Sequence, residues 1–391
     1  MKELRTQVAI VGAGPAGMLL GQLLGRNGID CVVLERRSRD YVEKRVRAGV
    51  IEYGMANLLE EAGAGERMRS VGLVHHGVEI RFERLSYRIA LSELADGKPI
   101  TVYGQQEVVK DLVALRLESG APLFFDCEVT ELNGLESDTP SVLANGVDGP
   151  IRVTCDYVAG CDGSFGVANR AMPATTRRYE RNFPFSWLGI LAEAKPASDE
   201  LIYARHESGF ALYSLRSPTL SRLYLGVGST ETLDEWSDER IWHELNIRLA
   251  TEERPTVNEG PILERGITAM RSVVTDPMRH GNLFLAGDAA HIVPPTGAKG
   301  MNLALADVRE LARAFAASLR HGDQSLLDSY SERCLERVWR AEEFSNYMTQ
   351  MLHPAQDGFE NGVQSARLRQ LVTSTDASTV MARNYVDLNS L

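Results

Sequence analysis

The chain has 391 residues, 44% hydrophobic and 24% charged, which is typical of a globular protein with two or more domains. Its net charge of −11 argues against nucleic acid and anionic membranes as partners. The five cysteines are scattered without CxxC spacing, so neither disulfides nor a metal site is predicted, and a reducing cytoplasm is expected. No apolar run is long enough to predict a transmembrane helix.

The N-terminal segment combines a glycine turn with two apolar strands. The run TQVAIV is followed by GAGPAG, a helical segment and then IDCVVLE. In a dinucleotide-binding unit, Gly12 permits the tight turn, Gly14 lets the backbone approach a pyrophosphate, and Gly17 lets the helix pack on the strand. Glu35, at the end of the second strand, would accept a hydrogen bond from a ribose. This pattern predicts dinucleotide binding and leaves NAD(P) and FAD as alternatives.

Two later segments end a predicted strand in a polar turn. TCDYVAGCDG contains Asp162 and GNLFLAGDAAH contains Asp288. Each could be an ordinary strand-end turn. With the glycine fingerprint, however, they resemble the single-component flavoprotein monooxygenases that hydroxylate aromatic rings. The resemblance implies FAD binding, with Asp288 on the ribityl chain and Asp162 between flavin and nicotinamide.

Within that family, the sequence is similar to the 4-hydroxybenzoate hydroxylase group from residue 6 to about 386. The resemblance is carried by RVRAGVIEYG, TVYGQQEV, HIVPPTGAKGMN and ARNYV. It implies an α/β fold with a Rossmann-like FAD-binding domain of the glutathione-reductase type, a β-sheet substrate domain and C-terminal helices. We expect residues 1–180 to form the first part of the FAD domain, residues 181–275 the substrate domain, and residues 276–391 the return to the FAD domain with the C-terminal helices.

The same resemblance implies the cofactor contacts. For FAD they are Gly12, Gly14, Gly17, Glu35, Arg36, Arg47, Gln105, Arg222, Asp288, Lys299, Gly300, Met301 and Asn302. For NADPH they are Arg36, Arg37, Tyr41, Arg47, Asp162 and Arg271. NADH is the alternative, because Phe165 and the Asn169-Arg170 pair depart from the family pattern. Gly297 and Gly300 are expected to allow close approach of backbone to ligand.

The segment GFALYSLRSPTLSRLYLGVG predicts a hairpin turning at residues 217–219. We expect Ser214 to face Tyr224 and Arg216 to face Arg222, with all four on one face of the sheet. Opposed arginines are destabilising unless an anion lies between them, so the pattern favours a carboxylate site. The alternative is a solvated charged face on an edge hairpin.

The resemblance assigns further roles that spacing alone does not. It implies that Ser214, Arg216 and Tyr224 hold the substrate carboxylate, while Tyr203 and Tyr385 lie near the phenol. Catalytic roles are implied for Tyr203, Tyr385, His75 and Pro295, with His75 at the end of a proton relay, and Pro295 and Tyr203 also contacting the substrate.

The implied reaction uses FAD, NADPH and O2 to hydroxylate 4-hydroxybenzoate at the 3-position, giving 3,4-dihydroxybenzoate. Two alternatives stay open. One is a related hydroxylase for another small phenolic carboxylate, and the other is a non-catalytic flavin-binding protein. A homodimer is expected from the family. Residues 325–353 are predicted to form one long amphipathic helix whose apolar stripe faces the core.

Overall fold

The computed structural model describes residues 1–47, 49–254 and 256–388, which form a mixed α/β fold with four sheets. Its strands are Lys2–Arg5 (β1), Val8–Val11 (β2), Cys31–Leu34 (β3), Val50–Ile51 (β4), Leu73–His75 (β5), Val78–Phe82 (β6), Leu85–Ile89 (β7), Ile100–Val102 (β8), Leu123–Phe124 (β9), Glu128–Asn133 (β10), Ser141–Gly146 (β11), Gly149–Thr154 (β12), Tyr157–Gly160 (β13), Arg177–Ala192 (β14), Leu201–His206 (β15), Gly209–Ser217 (β16), Leu220–Gly228 (β17), Ile262–Asp276 (β18), Arg279–His280 (β19), Leu283–Leu285 (β20) and His291–Ile292 (β21).

The α-helices are Pro15–Arg26 (α1), Arg39–Lys44 (α2), Tyr53–Glu61 (α3), Glu66–Val71 (α4), Leu91–Leu94 (α5), Gln105–Glu118 (α6), Val167–Arg170 (α7), Asp238–Leu249 (α8), Gly300–His321 (α9), Ser325–Asp328 (α10), Tyr330–Leu352 (α11), Gly358–Thr373 (α12) and Thr375–Asp387 (α13). None of the helices in the described residues is long and apolar enough to cross a membrane.

A six-stranded sheet carries the predicted nucleotide-binding unit. Its order is β19-β20-β13-β2-β3-β9, and all neighbours except β19 and β20 are parallel. Strands β2, β3, β13 and β20 are buried along their whole length, as expected for apolar runs covered on both faces. Because parallel strands end at the same edge, the segments after β2, β13 and β20 lie close together. The predicted Rossmann-like fold class is confirmed.

An eight-stranded sheet carries the predicted hairpin, in the order β21-β18-β14-β17-β16-β15-β6-β7. One face packs against α8 through apolar residues such as Ile202, Leu225 and Leu245. The other face packs against the C-terminal helices through residues that include Tyr203 and Tyr385. Strands β6 and β7 belong to this sheet although they precede residue 180. The three-part division of the chain stays a prediction.

The hairpin register differs from the prediction. Ser214 faces Arg222 and Leu212 faces Tyr224, so the predicted pairs of Ser214 with Tyr224 and of Arg216 with Arg222 are wrong. The ladder is irregular between Leu215 and Ser217, and this bulge takes Arg216 out of the pairing. A bulge of this kind avoids placing two guanidinium groups directly opposite one another.

The predicted helix over 325–353 is interrupted, so that prediction was wrong in one detail. Helix α10 ends at Asp328 and α11 begins at Tyr330. Between them, the Ser329 hydroxyl donates to the Ser325 carbonyl at 2.8 Å, which ties the side chain back onto the preceding turn. The Tyr330 hydroxyl then donates to the Leu285 carbonyl at 2.7 Å and fixes α11 beside β20.

Candidate functional site

The glycine turn after β2 separates structural from open positions. Gly12 has φ +103°, and a Cβ there would lie 2.4 Å from the Cys161 carbonyl oxygen. A Cβ at Gly17 would lie 2.0 Å from the Gly12 oxygen, so helix α1 could not pack as it does. A Cβ at Gly14 would meet no atom of the described residues within 4 Å. The space beside Gly14, at the N-terminus of α1, therefore fits a phosphate group.

Glu35 lies beside this turn, at the end of β3. Its carboxylate accepts hydrogen bonds from the backbone N–H groups of Ala13 and Arg37, both at 2.8 Å. These bonds hold the carboxylate at the carboxyl edge of the sheet. The predicted acid is therefore in place next to the glycine turn, and its contact with a ribose stays a prediction.

Arg47 and Asp288 lie opposite one another at the same edge. The Arg47 Nη1 is 3.9 Å from the Asp288 Oδ2, and their side chains are 45% and 52% exposed. Both charged ends are therefore open to a bound molecule. Behind Asp288, the Gly287 N–H donates to the buried Asp307 carboxylate at 3.0 Å, which anchors the turn.

Asp162 ends the third segment at this edge. Its Oδ2 accepts from the Ala168 N–H at 3.0 Å, while its Oδ1 is buried and without a partner among the described residues. Burial raises the pKa of Asp162 to about 6. Nearby, Arg271 donates to the Ser164 hydroxyl at 3.0 Å and lies over the Phe165 ring. Of the predicted nicotinamide residues, Arg271 therefore contacts residues 164–165, which follow Asp162 directly in the chain.

Lys299 and Asn302, at the start of α9, form buried polar contacts with other segments. Lys299 donates to Glu52 at 2.8 Å and to the Tyr385 carbonyl at 3.0 Å, and the Lys299 and Glu52 side chains are each 1% exposed. Asn302 accepts from the Glu52 N–H and donates to the Val50 carbonyl, both at 2.9 Å. Burial lowers the pKa of Lys299, and Glu52 offsets part of that effect. These two side chains hold the 50–52 segment against α9.

The two glycines of this loop differ in what surrounds them. A Cβ at Gly300 would meet no atom within 4 Å in the part of the chain that the structure describes, which leaves room for the expected close approach of a ligand. A Cβ at Gly297 would lie 2.5 Å from the Ser345 Oγ on α11. Gly297 is thus needed for packing against a helix, and its expected role in ligand approach is not supported by this contact.

Tyr203 and Tyr385 meet although they are 182 residues apart in sequence. Their hydroxyl oxygens lie 2.6 Å apart, and both side chains are 1% exposed. Burial raises the pKa of each phenol above its usual value. Both tyrosines therefore stay protonated near neutral pH and can pass a proton between their hydroxyls.

The hairpin residues lie on the sheet face that carries Tyr203. Tyr203 pairs with Leu212, which pairs with Tyr224, and Ser214 lies two pairs further along and so on the same face. Ser214 is 2% exposed and has a weak 3.4 Å contact to the Leu215 carbonyl. The predicted hydroxyl groups of the hairpin therefore share one buried surface.

Two arginines of the hairpin differ in their partners. Arg222 contacts the Tyr224 hydroxyl at 3.3 Å and Glu264 at 3.4 Å. In Arg216, by contrast, Nε and Nη1 are buried and lack a hydrogen-bond partner among the described residues. Burial lowers the pKa of Arg216, Tyr224 raises it, and Arg222 lowers it further. A buried guanidinium with free donors fits an anionic ligand.

His75, at the end of β5, is also buried without partners. Both of its ring nitrogens lack a hydrogen bond among the described residues, and the residue is 2% exposed. Burial lowers the pKa of His75 to about 4, so the ring is neutral near pH 7. The expected hydrogen-bonded relay from Tyr385 to His75 is not made by direct contacts in this structure, and it stays a prediction.

The remaining predicted residues are more exposed. Arg36, Arg37 and Tyr41 are exposed, and the Arg37 guanidinium lies over the Tyr41 ring at 5.1 Å. Pro295 is exposed, and its carbonyl accepts from the Ala298 N–H at 2.9 Å. Gln105 and Met301 stand at the starts of α6 and α9 and are partly buried.

Comparisons with known proteins agree with this arrangement. A family model described as an FAD binding domain matches residues 5–345. The p-hydroxybenzoate hydroxylase of Acinetobacter baylyi is 44% identical over 391 residues, covering 99% of this chain and 96% of that protein. The chain belongs to this family of FAD-dependent aromatic hydroxylases.

The chain is also similar to a more distant relative in sequence and to a solved structure in fold. The probable NADH-specific resorcinol 4-hydroxylase of Rhodococcus jostii is 26% identical, with 96% of this chain and 69% of that protein covered. The crystal structure of p-nitrophenol 4-monooxygenase from Pseudomonas putida matches with a TM-score of 0.85 at 19% identity, covering 100% of this chain and 99% of that chain.

Three residues near the candidate site, Glu52, His291 and Trp187, were not predicted from the sequence. Glu52 gave no signal, because its partner Lys299 is 247 residues away. His291 stands in the GDAAH motif, and its ring lies 2.6 Å from Asp307, but the motif does not reveal that partner. Trp187, which packs against Tyr224, lies in an apolar strand without a distinguishing pattern.

Proposed function

We propose that this chain is a 4-hydroxybenzoate 3-monooxygenase that uses FAD, NADPH and O2 to form 3,4-dihydroxybenzoate. Two observations together carry the proposal: the hairpin holds a buried guanidinium with free donors, Arg216, and the Tyr203–Tyr385 hydroxyl pair lies on the sheet to which the hairpin belongs. A flat molecule with a carboxylate at one end and a phenol at the other matches these two groups.

The residues present fit FAD. Gly14 would leave room for the pyrophosphate beside α1, Glu35 would accept from the ribose, and the exposed carboxylate of Asp288 would accept from the ribityl hydroxyls. When bound, the flavin supplies the transfer of electrons from the nicotinamide and the activation of oxygen. The open space beside Gly300, at the N-terminus of α9, favours negative charge on a bound group.

The hairpin binds and orients the substrate. The free donors of Arg216 would form charge-assisted hydrogen bonds to the carboxylate, with Ser214 and Tyr224 contributing hydroxyl groups. Because the guanidinium is already desolvated in the protein, the carboxylate gains a partner without a further cost of burying that cation. The carboxylate therefore fixes the direction in which the ring points.

The tyrosine pair acts on the phenol. A phenol has a pKa near 10, and each unit of decrease requires about 1.4 kcal/mol of preferential stabilisation of the phenolate. Tyr203 stays protonated because burial raises its pKa, so it can donate a hydrogen bond to a phenolate oxygen. A phenolate is more electron-rich at the ortho carbon than a phenol, which favours attack there. His75 is proposed as the end of the proton path, where it would pass the proton onward and not retain it, because burial lowers its pKa to about 4.

The proposal also covers which nicotinamide nucleotide is used, the oligomeric state and the cellular compartment. We propose NADPH as the reductant because Arg36 and Arg37 are exposed and available to a 2′-phosphate. A cytoplasmic homodimer is proposed from the family, and all five cysteines being free and buried is consistent with a reducing compartment. A related hydroxylase acting on another small phenolic carboxylate is the second candidate, since Arg216 could donate hydrogen bonds to the carboxylate of any benzoate.

An assay of NADPH oxidation with product analysis tests the proposal. The purified protein should be yellow, and 4-hydroxybenzoate should stimulate NADPH oxidation and yield 3,4-dihydroxybenzoate by chromatography. Phenol, which lacks the carboxylate, and benzoate, which lacks the hydroxyl, are matched controls and should give no hydroxylated product. Turnover of a different hydroxybenzoate alone would favour the second candidate, and a protein that cannot take up FAD would refute both.

A further inference from the structure

A buried histidine links the end of α11 to the substrate sheet. His353 is 6% exposed and lies between the rings of Phe185 and Phe210, at centroid distances of 4.2 Å and 4.4 Å. Its Nε2 is 2.7 Å from the Trp187 indole Nε1, and its Nδ1 is 2.9 Å from the Thr349 carbonyl oxygen. None of these contacts is part of the mechanism described above.

The partners of His353 determine its tautomer. The Trp187 indole N–H can only donate, so Nε2 must be the acceptor, and the Thr349 carbonyl can only accept, so Nδ1 must carry the proton. Burial lowers the pKa of His353 to about 3, so the ring stays neutral. A protonated ring would turn one N–H toward another. The imidazole is therefore a fixed acceptor for the indole.

Trp187 carries this contact toward the hairpin. Its ring stacks on Phe210 at 4.9 Å and packs against Tyr224 at 5.2 Å. Trp187 pairs with Gly226, two residues from Tyr224 on the same sheet face, where a side chain would crowd Phe210 and His353. The orientation of the indole thus limits the position of the Tyr224 ring.

The same side of α11 also holds the loop that precedes α9. The Thr349 and Thr296 hydroxyl oxygens lie 2.8 Å apart, and Ser345 fills the space beside Gly297. Positions 345, 349 and 353 are spaced by four residues and so form one stripe along the helix. Through this stripe, α11 contacts both the 295–297 turn and the substrate sheet.

We propose that His353 and Thr349 are positioning residues: His353 fixes the Trp187 indole beside Tyr224, and Thr349 fixes the 295–297 turn. One helix would then set the separation between the turn and the hairpin. The inference deepens the proposed function and rests on it, because a fixed separation matters only if substrate and flavin meet between these two walls.

Substitutions that keep or remove the acceptor test the role of His353. His353→Leu cannot accept from the indole, whereas His353→Gln presents a carbonyl oxygen in its place. Because small displacements of reacting groups can cost large factors in rate, we expect His353→Leu to lower product per NADPH about tenfold. His353→Gln should restore most of it. Trp187→Phe should cause a similar loss, and adding His353→Leu to it should cause no further loss. His243→Leu, on α8, is the control.

A spectroscopic measurement separates this inference from the proposed function. The chain has four tryptophans, so the Trp187 indole N–H resonance can be assigned by its loss in Trp187→Phe. The chemical shift of this resonance should change in His353→Leu and return toward its native value in His353→Gln. If the native enzyme hydroxylates no hydroxybenzoate, the proposed function fails, yet this resonance still decides whether His353 holds the indole.

The results that would overturn the inference are distinct. Native product yield in His353→Leu, or equal losses in the Leu and Gln variants, would show that the acceptor does not position Trp187. For Thr349, the Val variant should lower product yield while the Ser variant, which keeps the hydroxyl, should not. Equal behaviour of Val and Ser would remove Thr349 from the proposal. If His353→Leu does not fold, the Gln and Trp187→Phe variants decide: native yield in Trp187→Phe refutes the inference.

Discussion

The glycine turn after β2 and the region around the β16–β17 hairpin differ in how their polar groups are satisfied. At the turn, Glu35 already accepts two backbone hydrogen bonds. Around the hairpin, two nitrogens of Arg216 and both nitrogens of His75 are buried without a hydrogen-bond partner among the described residues. A buried polar group without a partner destabilises the fold. The carboxylate that we propose for this region would supply an acceptor for the Arg216 nitrogens.

The difference also separates two kinds of binding. The turn offers open space and backbone N–H groups, which recognise phosphates through shape and dipole. The hairpin offers the desolvated charge of Arg216 and buried hydroxyl groups, which suit the carboxylate that we propose there. Substitutions at the hairpin should therefore change substrate affinity and the product formed per NADPH consumed, without loss of FAD. Substitutions at the turn should weaken FAD binding.

The largest effect is expected for Arg216→Ala. Removing one partner of a buried ion pair costs about 3–5 kcal/mol, so the dissociation constant for 4-hydroxybenzoate should rise at least about a hundredfold. Flavin absorbance titration measures it. FAD content should be unchanged, and the ligand-free protein should be no less stable, because an unpaired buried cation has been removed. The exposed Arg313→Ala is the control, and an unchanged affinity in Arg216→Ala would place the carboxylate elsewhere.

Tyr203→Phe should leave substrate affinity largely intact and lower product yield. The change removes one hydroxyl and keeps the ring, so the packing should survive. Without that donor the phenol stays neutral, so NADPH oxidation should release mainly hydrogen peroxide. The ratio of dihydroxybenzoate formed to NADPH consumed is the measurement.

Tyr213→Phe is the matched control for that variant. Tyr213 is buried on the opposite face of the same sheet, where its hydroxyl accepts from the Ala197 N–H at 2.7 Å. Its loss should lower stability without changing the product ratio. A native ratio in Tyr203→Phe, or equal losses in both variants, would contradict the role assigned to Tyr203.

The same comparison explains what could be predicted from sequence. Gly12, Gly14, Gly17 and Glu35 act within one βαβ unit, so their spacing alone indicates the nucleotide site. The contact of Tyr203 with Tyr385 spans 182 residues, and no local pattern reveals it. Only the resemblance to known hydroxylases predicted that both tyrosines lie near the substrate phenol.

The errors have local physical causes. The hairpin register was wrong because a bulge after Leu215 cannot be recognised from alternation alone. Two further contacts were not foreseen from the sequence: Ser345 packs beside Gly297, and Lys299 pairs with Glu52. In these two cases a distant segment decides the environment, and the expected contacts of Gly297 and Lys299 with a ligand stay predictions.

Gly14→Ala and Gly17→Ala should separate cofactor binding from folding. A Cβ at Gly14 would meet no atom of the described residues within 4 Å, so the Gly14→Ala variant should fold. It should bind FAD about tenfold more weakly, because the methyl group enters the space proposed for the pyrophosphate. A Cβ at Gly17 would lie 2.0 Å from the Gly12 oxygen, so that variant should lose stability even without FAD. Thermal unfolding of the apoprotein and fluorescence titration with FAD measure the two effects. Native FAD affinity in Gly14→Ala would place the pyrophosphate elsewhere.

The smallest effect is expected for the arginines after β3, which extend the glycine turn toward the second nucleotide. Among the described residues, Arg36 and Arg37 form no ion pair, whereas Arg39 pairs with Glu43 at 2.6 Å. The first two are therefore free to meet a 2′-phosphate and the third is already engaged. Exposed ion pairs are worth about 0.2–1 kcal/mol each, so replacing both Arg36 and Arg37 with Gln should raise the KM for NADPH only several-fold.

The discriminating quantity is the ratio of the two nicotinamides. NADH lacks the 2′-phosphate, so its KM should stay near the native value in the Arg36→Gln/Arg37→Gln variant. Arg39→Gln is the control and should change neither constant, because its partner is Glu43. The NADPH effect should also shrink as salt is added, since exposed charges are screened over about 8 Å at physiological ionic strength. Equal losses for NADPH and NADH would assign these arginines to general binding at the nucleotide edge instead of to the 2′-phosphate.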